Sequence, residues 1–263
     1  MVRKTADPKE FSTLELMAVC GSRAIRNGEV VFIGTGLPMI AALLAKRTHA
    51  PDAKIVFEAG FIDSNAKDVA LSIADSRLGY RASGAIGLVE TLGLMLQGGH
   101  VDVGFVGAAQ IDKRGNINTT YIGAFEKPVV RLPGSGGGND IVSSAKRIVV
   151  IMTHEKRKMV NKLDYLTSPG FLDGTGAREK AGLLGGGPSL VVTNLCQMDF
   201  DPQTKCMRLA TVHPSVTVQQ VSENTEFELV IPNRVPTTDL PTCEELALLR
   251  VIDPDGIYIP WTK

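Results

Sequence analysis

The chain has 263 residues, enough for one large domain with a sizeable buried core. Lysine plus arginine and aspartate plus glutamate stand at 28 each, so the formal charge is zero; this argues against a chain built to bind phosphate backbones but excludes no small anionic ligand. The cysteines (Cys20, Cys196, Cys206, Cys243) form no C-x-x-C pair, which removes zinc-ribbon and disulfide-framework chemistry and points to reduced thiols.

The opening stretch MVRKTADPKEF holds no apolar run of signal-peptide length. No apolar run approaches the ~20 residues of a membrane span. The expectation is a soluble, cytoplasmic protein. Residues 13–26 read as a helix, with Ser12 or Thr13 as N-cap and Gly28 past the end. VVFIG at 30–34 is a short β-branched run. A helix at 38–47 follows, with Pro38 at a first-turn position. KIVFE at 54–58 is a second strand, 88–97 a third helix, and VDVGFVG at 101–107 and RIVVIMT at 147–153 two further strands. These strands are apolar at consecutive positions, as suits strands buried on both faces. Strand and helix alternate, which predicts an open, mainly parallel α/β sheet flanked by helices. HEKRK at 154–158 reads as a solvated charge run. From 189 to 212 the pattern predicts two strands joined by a turn at 201–205, an added β-hairpin. TVQQVSENT is a short helix, and TCEELALLRVI is another, with Thr242 and Glu245 spaced as a capping box. Trp261 is expected to pack against the fold. No linker or repeat divides the chain, so a single domain over 1–263 is expected.

Several places invite chemistry. Gly34-Thr35-Gly36-Leu37-Pro38 joins a strand to a helix, where backbone N–H groups can meet an anion. Met39 stands where a dinucleotide fingerprint needs glycine, and no Walker lysine follows, so strand–helix packing explains these glycines equally well. In Gly134-Ser-Gly-Gly-Gly-Asn-Asp140, four of five positions lack a side chain, and successive N–H groups can face one oxygen, as in an anion nest or oxyanion hole. Gly185-Gly-Gly-Pro188 reads as a loop. Glu58 ends an apolar strand, where a carboxylate needs solvent, a partner or a task. Gln110, Asn116 and Asn118 place carboxamides at another strand end, with turn chemistry as the plain alternative. The histidines (His49, His100, His154, His213) have neither metal-ligand spacing nor a partner serine, and no metal is expected.

Six segments in order carry a resemblance: GTGLP at 34–38, FEAGFID at 57–63, GAAQID..GNIN at 107–118, GSGGGND at 134–140, MTHEKRKMVNKLDYLTSPGFLDG at 152–174 and HPSVTVQQVSENTEF at 213–227. Together they resemble the β subunit of family I coenzyme A transferases, glutaconate CoA-transferase among them, over nearly the whole length. The resemblance implies an open α/β fold and a transfer of CoA between an acyl-CoA and a free carboxylic acid, dicarboxylic or enoyl. It puts the acyl-accepting carboxylate on Glu58 in the E-x-G segment, and the oxyanion- and CoA-binding groups on Gly136, Gly137, Gly138 and Asn139. Gly34, Gly36, Gln110 and Asn116 are substrate-pocket candidates. It further implies ping-pong covalent catalysis, CoA thioester as substrate with no other cofactor, and a separate α subunit in an αβ, α₂β₂ or larger assembly, without which the chain is inactive. Proteins of this architecture also include CoA-thioester hydrolases and lyases, in which the glutamate is often replaced. Its presence here favours transfer.

Overall fold

The computed structural model describes residues 4–7, 9–64 and 69–260; Trp261 lies outside them. The chain forms two compact units. The first comprises residues 1–105 and 239–263, the second 106–238.

The first unit opens with α1 (Thr13–Arg23), capped by Ser12, whose hydroxyl accepts from Glu15 N while the Glu15 carboxylate accepts from Ser12 N. Next come β1 (Val30–Ile33), α2 (Leu37–Arg47), β2 (Lys54–Phe57), β3 (Phe61–Ile62), β4 (Gly84–Ala85) and β5 (Val103–Val106). The helix expected at 88–97 is a π-helix over Glu90–Gln97. β5, β1 and β2 pair in parallel, and β3 and β4 continue the sheet antiparallel. Val31, Phe32 and Ile33 are fully buried, which is the cost-free place for a β-branched and aromatic run. α1 packs on α2, and α2 on the C-terminal helix Cys243–Ile252. That helix has the expected capping box from Thr242 and Glu245, and Glu245 also takes a two-pronged bond from Arg23 at 3.0 and 2.8 Å.

The second unit begins with two small hairpins, β6 (Gln110–Ile111) with β7 (Ile117–Asn118) and β8 (Tyr121–Gly123) with β9 (Pro128–Arg131). α3 (Gly138–Ser144), β10 (Arg147–Ile151), α4 (Ala177–Lys180), β11 (Pro188–Val192), β12 (Cys196–Phe200), β13 (Met207–Val212) and α5 (Val218–Glu223) follow. β10 and β11 are parallel, while β11–β12 and β12–β13 are antiparallel. The expected α/β fold, with parallel central strands, flanking helices and an added C-terminal hairpin, is therefore present. One detail differs. The segment 189–200, expected as a single strand, is two. Thr193 breaks it: its hydroxyl accepts from the amides of Leu195 and Cys196 and donates to the Cys196 carbonyl, folding the chain back. No helix among the described residues is long and apolar enough to cross a membrane.

Candidate active site

Glu58 leaves the carboxyl end of β2. Its turn is closed by a 2.8 Å bond from the Gly60 amide to the Phe57 carbonyl. The side chain is half-buried and has no hydrogen-bond or ion-pair partner among the described residues. Ile33 of β1 is the register partner of Phe57, so Gly34 and Glu58 leave adjacent parallel strands at the same edge. This is the edge where open α/β sheets receive ligands. Gly36 caps α2 at φ +86°, ψ −151°, a conformation that excludes side chains, and nothing lies within 4 Å of where a Gly34 Cβ would stand. The turn beside Glu58 is thus bare backbone ending on a helix N-terminus.

The Gly-rich loop lies in the second unit. Gly134 and Gly136 hold positive φ, +95° and +48°. Gly134 is pinned to Thr119 by bonds in both directions, Gly134 N to Thr119 O at 2.9 Å and Thr119 Oγ1 to Gly134 O at 2.8 Å. The amides of Gly138 and Asn139 bond back to Ser135, at 2.8 Å to its carbonyl and 3.0 Å to its hydroxyl. The Asn139 side chain donates to Thr167 O and accepts from Ser143 Oγ, both at 2.9 Å. The amides of Gly136 and Gly137 make no hydrogen bond among the described residues. Of the four loop residues singled out from sequence, these two retain donors for a ligand. A cleft of about 300 Å³, walled by Val106, Gly107, Leu132, Pro133, Gly134 and Ser135, opens beside the loop.

Gln110 and Asn116 are buried, and their carboxamides are engaged inside the unit. Gln110 donates to Asp164 at 2.6 Å and accepts from Asn118 at 2.8 Å. Asn116 donates to Asp112 and to the Leu172 carbonyl and accepts from the amides of Gly170 and Leu172. Burial pushes the Asp112 carboxyl up from its ordinary value, against those bonds. Gly170 lies so close to Arg114 and Gly115 that a Cβ there would overlap their backbone. The carboxamide-rich segment therefore clasps the 164–172 loop.

Two features escaped sequence reading. Arg178 is 4% exposed, and its guanidinium donates to five carbonyls: Val142, Ser143, Pro169, Gly170 and Gly185. It ties the end of α3, which starts at the Gly-rich loop, to two other loops. His154, expected on a solvated face, is buried at 3% exposure, with Nε2 at 3.0 Å from Thr225 Oγ1 and Nδ1 at 3.3 Å from Thr193 Oγ1. Only the charges after it, Glu155, Arg157 and Lys158, pair on the surface. The charge run that follows His154 in sequence carries no sign of this. Gly185 and Gly186, read as a plain loop, pack so tightly on Ala145 and Lys146 that side chains would collide with their carbonyls. Among the described residues no group of three or more histidine, cysteine or acidic side chains is arranged to hold a metal.

A partnerless carboxylate at a strand end in the first unit and, in the second, a loop with unbonded amides beside an apolar cleft are each a feature that acyl-transfer chemistry uses. The chain belongs to the coenzyme A transferase family, whose model matches residues 14–224. It is 42% identical to the B subunit of 3-oxoadipate CoA-transferase of Pseudomonas knackmussii over 92% of this chain and 94% of that one. It is 40% identical to the B subunit of glutaconate CoA-transferase of Acidaminococcus fermentans over 97% of both. The crystal structure of glutaconate coenzyme A-transferase from that organism superposes with a TM-score of 0.91, covering 97% of this chain and 100% of the other. A cholesterol ring-cleaving hydrolase subunit of Mycobacterium tuberculosis is 28% identical over 92% of this chain and 95% of that one.

Proposed function

We propose that this protein is the β subunit of a two-subunit CoA-transferase, working in the cytoplasm with a separate α subunit on a dicarboxylic or enoyl acid. The observation that carries the proposal is Glu58: a half-buried carboxylate at the ligand edge of the sheet with no partner among the described residues to occupy it. A carboxylate oxygen is itself a nucleophile and needs no general base. Its oxygen attacks the thioester carbonyl of an acyl-CoA, the C–S bond breaks, and a mixed anhydride and CoA thiolate form. The thiolate attacks the glutamyl carbonyl, releasing the first acid and leaving Glu58 as a CoA thioester. The incoming carboxylate reverses both steps, so the thioester's energy is retained throughout. The unbonded amides of Gly136 and Gly137 are the donors we assign to an oxygen of the bound acyl-CoA; loss of one such donor typically costs ~10²–10³ in rate.

The test uses the chain assembled with its α subunit, acyl-CoA, and hydroxylamine or borohydride, followed by peptide mass analysis. Trapping at Glu58 is expected. Turnover with residue 58 unmodified overturns the covalent route, and CoA release without any acceptor acid assigns the chain to thioester hydrolysis instead.

A further inference from the structure

A charged pocket lies in the first unit, at the opposite end of β2 from Glu58. It encloses about 380 Å³ and is lined by Lys46 and Arg47 from the last turn of α2, Asp63 and Ser64 after β3, and Arg81 and Ser83 before β4. The Lys46 ammonium is committed, bonding the Asp63 carboxylate and, at 3.0 Å, the Ala53 carbonyl. Lys54 also reaches Asp63, at 3.5 Å. Arg47 and Arg81 have no carboxylate or hydrogen-bond partner among the described residues; Arg81 lies 5.6 Å from the ring centre of Tyr80. Ser64 is 4% exposed, and its hydroxyl has no hydrogen-bond partner among the described residues.

These features share one remedy. An unsatisfied buried hydroxyl costs about 1–3 kcal/mol. Two guanidinium groups on one cavity repel each other, and the single local acid is already shared by two lysines. One carboxylate serves one guanidinium fork. A tetrahedral anion with three or four oxygens serves two forks and a hydroxyl together. Arg81 is held at φ +50°, a region non-glycine residues seldom enter, while its side chain lines the cavity.

We propose that this pocket binds a phosphate group through Arg47, Arg81 and Ser64. Strand geometry, at about 3.3 Å per residue over the four residues of β2, separates it from the turn carrying Glu58. The phosphate is either free in solution or the ribose 3′-phosphate of coenzyme A, and the experiment separates the two sources.

Inorganic phosphate is titrated into the full chain by calorimetry at fixed ionic strength, with chloride as the balancing salt. The expected result is saturable one-site binding, weakened at least tenfold in the Arg47→Gln/Arg81→Gln double variant and less in Ser64→Ala. Both arginines are exposed and without polar partners among the described residues, so the double variant retains the wild-type fold, as circular dichroism checks. Displacement of phosphate by coenzyme A but not by dephospho-coenzyme A identifies the ribose phosphate as the source; displacement by neither identifies free phosphate. Absence of saturable binding, or equal binding by the double variant, overturns the proposal.

Discussion

Gly60 and Ile86 meet backbone to backbone. The Ile86 amide donates to the Gly60 carbonyl at 3.0 Å, and a Cβ on Gly60 would overlap the Ile86 carbonyl. Gly60 also holds φ +95°. The third residue of the E-x-G segment is thus the point where the Glu58 turn is fastened to the strand-edge segment beside it. Gly60→Ala must lose the fold of this turn or push it off Ile86. We expect at least 3 kcal/mol of destabilisation, read from the urea midpoint, since strain and collision act together.

Glu58 gives the opposite expectation. Having no partner among the described residues, it contributes little to stability, so Glu58→Ala and Glu58→Asp should melt within about 1 °C of wild type, as befits substitutions outside packed features. Activity should respond sharply. Removing the carboxylate abolishes transfer, and shortening it by one methylene displaces the nucleophile by more than 1 Å, with about a hundredfold or greater loss of kcat. Steady-state kinetics alongside thermal melts check the pair of outcomes.

Arg178 tests what the sequence could not reveal. A-R-E-K reads as a polar surface turn, and no periodicity marks its arginine as buried. Replacing it with methionine fills the volume but takes a donor from five carbonyls, of which Ser143 still accepts from the Gly185 amide at 2.9 Å. The expected loss is about 3–5 kcal/mol, and lysine recovers little of it because one ammonium cannot reproduce the planar fork. Urea unfolding of both variants decides the matter.

The contrast with Glu58 and the helix caps shows which parts of this protein sequence reading reaches. Ser12 with Glu15 and Thr242 with Glu245 are local, and residues three apart declare themselves. The buried runs of β1, β2 and β10 are legible because strands covered on both faces have no polar alternation. Glu58 was visible as a charge at the end of such a run. Arg178, His154 and the Asn116 clasp depend on partners 7 to 71 residues away, and only folding brings those together. The split of 189–200 into two strands has a local cause instead: a single threonine hydroxyl, bonded to residues two and three positions ahead, outweighed an apolar run.

His154 makes the stability of the second unit depend on pH. The Thr225 hydroxyl donates to the Val221 carbonyl at 2.8 Å, so it accepts from His154 Nε2–H, and Nδ1 faces the Thr193 hydroxyl and, at 3.7 Å, the Cys196 thiol. Burial lowers the imidazole pKa from 6.5 to about 4, and it raises the Cys196 thiol to about 12, so both groups are neutral in the fold. His213, which bonds the Thr193 carbonyl at 2.7 Å, is shifted downward by burial as well. The unfolded chain binds protons that the folded chain refuses. Stability is therefore complete above the unfolded pKa near 6.5 and declines as pH falls from there toward 4. The His154 contribution to that decline is about 3 kcal/mol at its full extent. Urea midpoints at pH 7.5 and pH 4.5 should show the decline in wild type. His154→Gln, which cannot take up the proton, should be less stable at pH 7.5 and should lose less on acidification. An equal acid-induced loss in the variant would assign the effect to other groups.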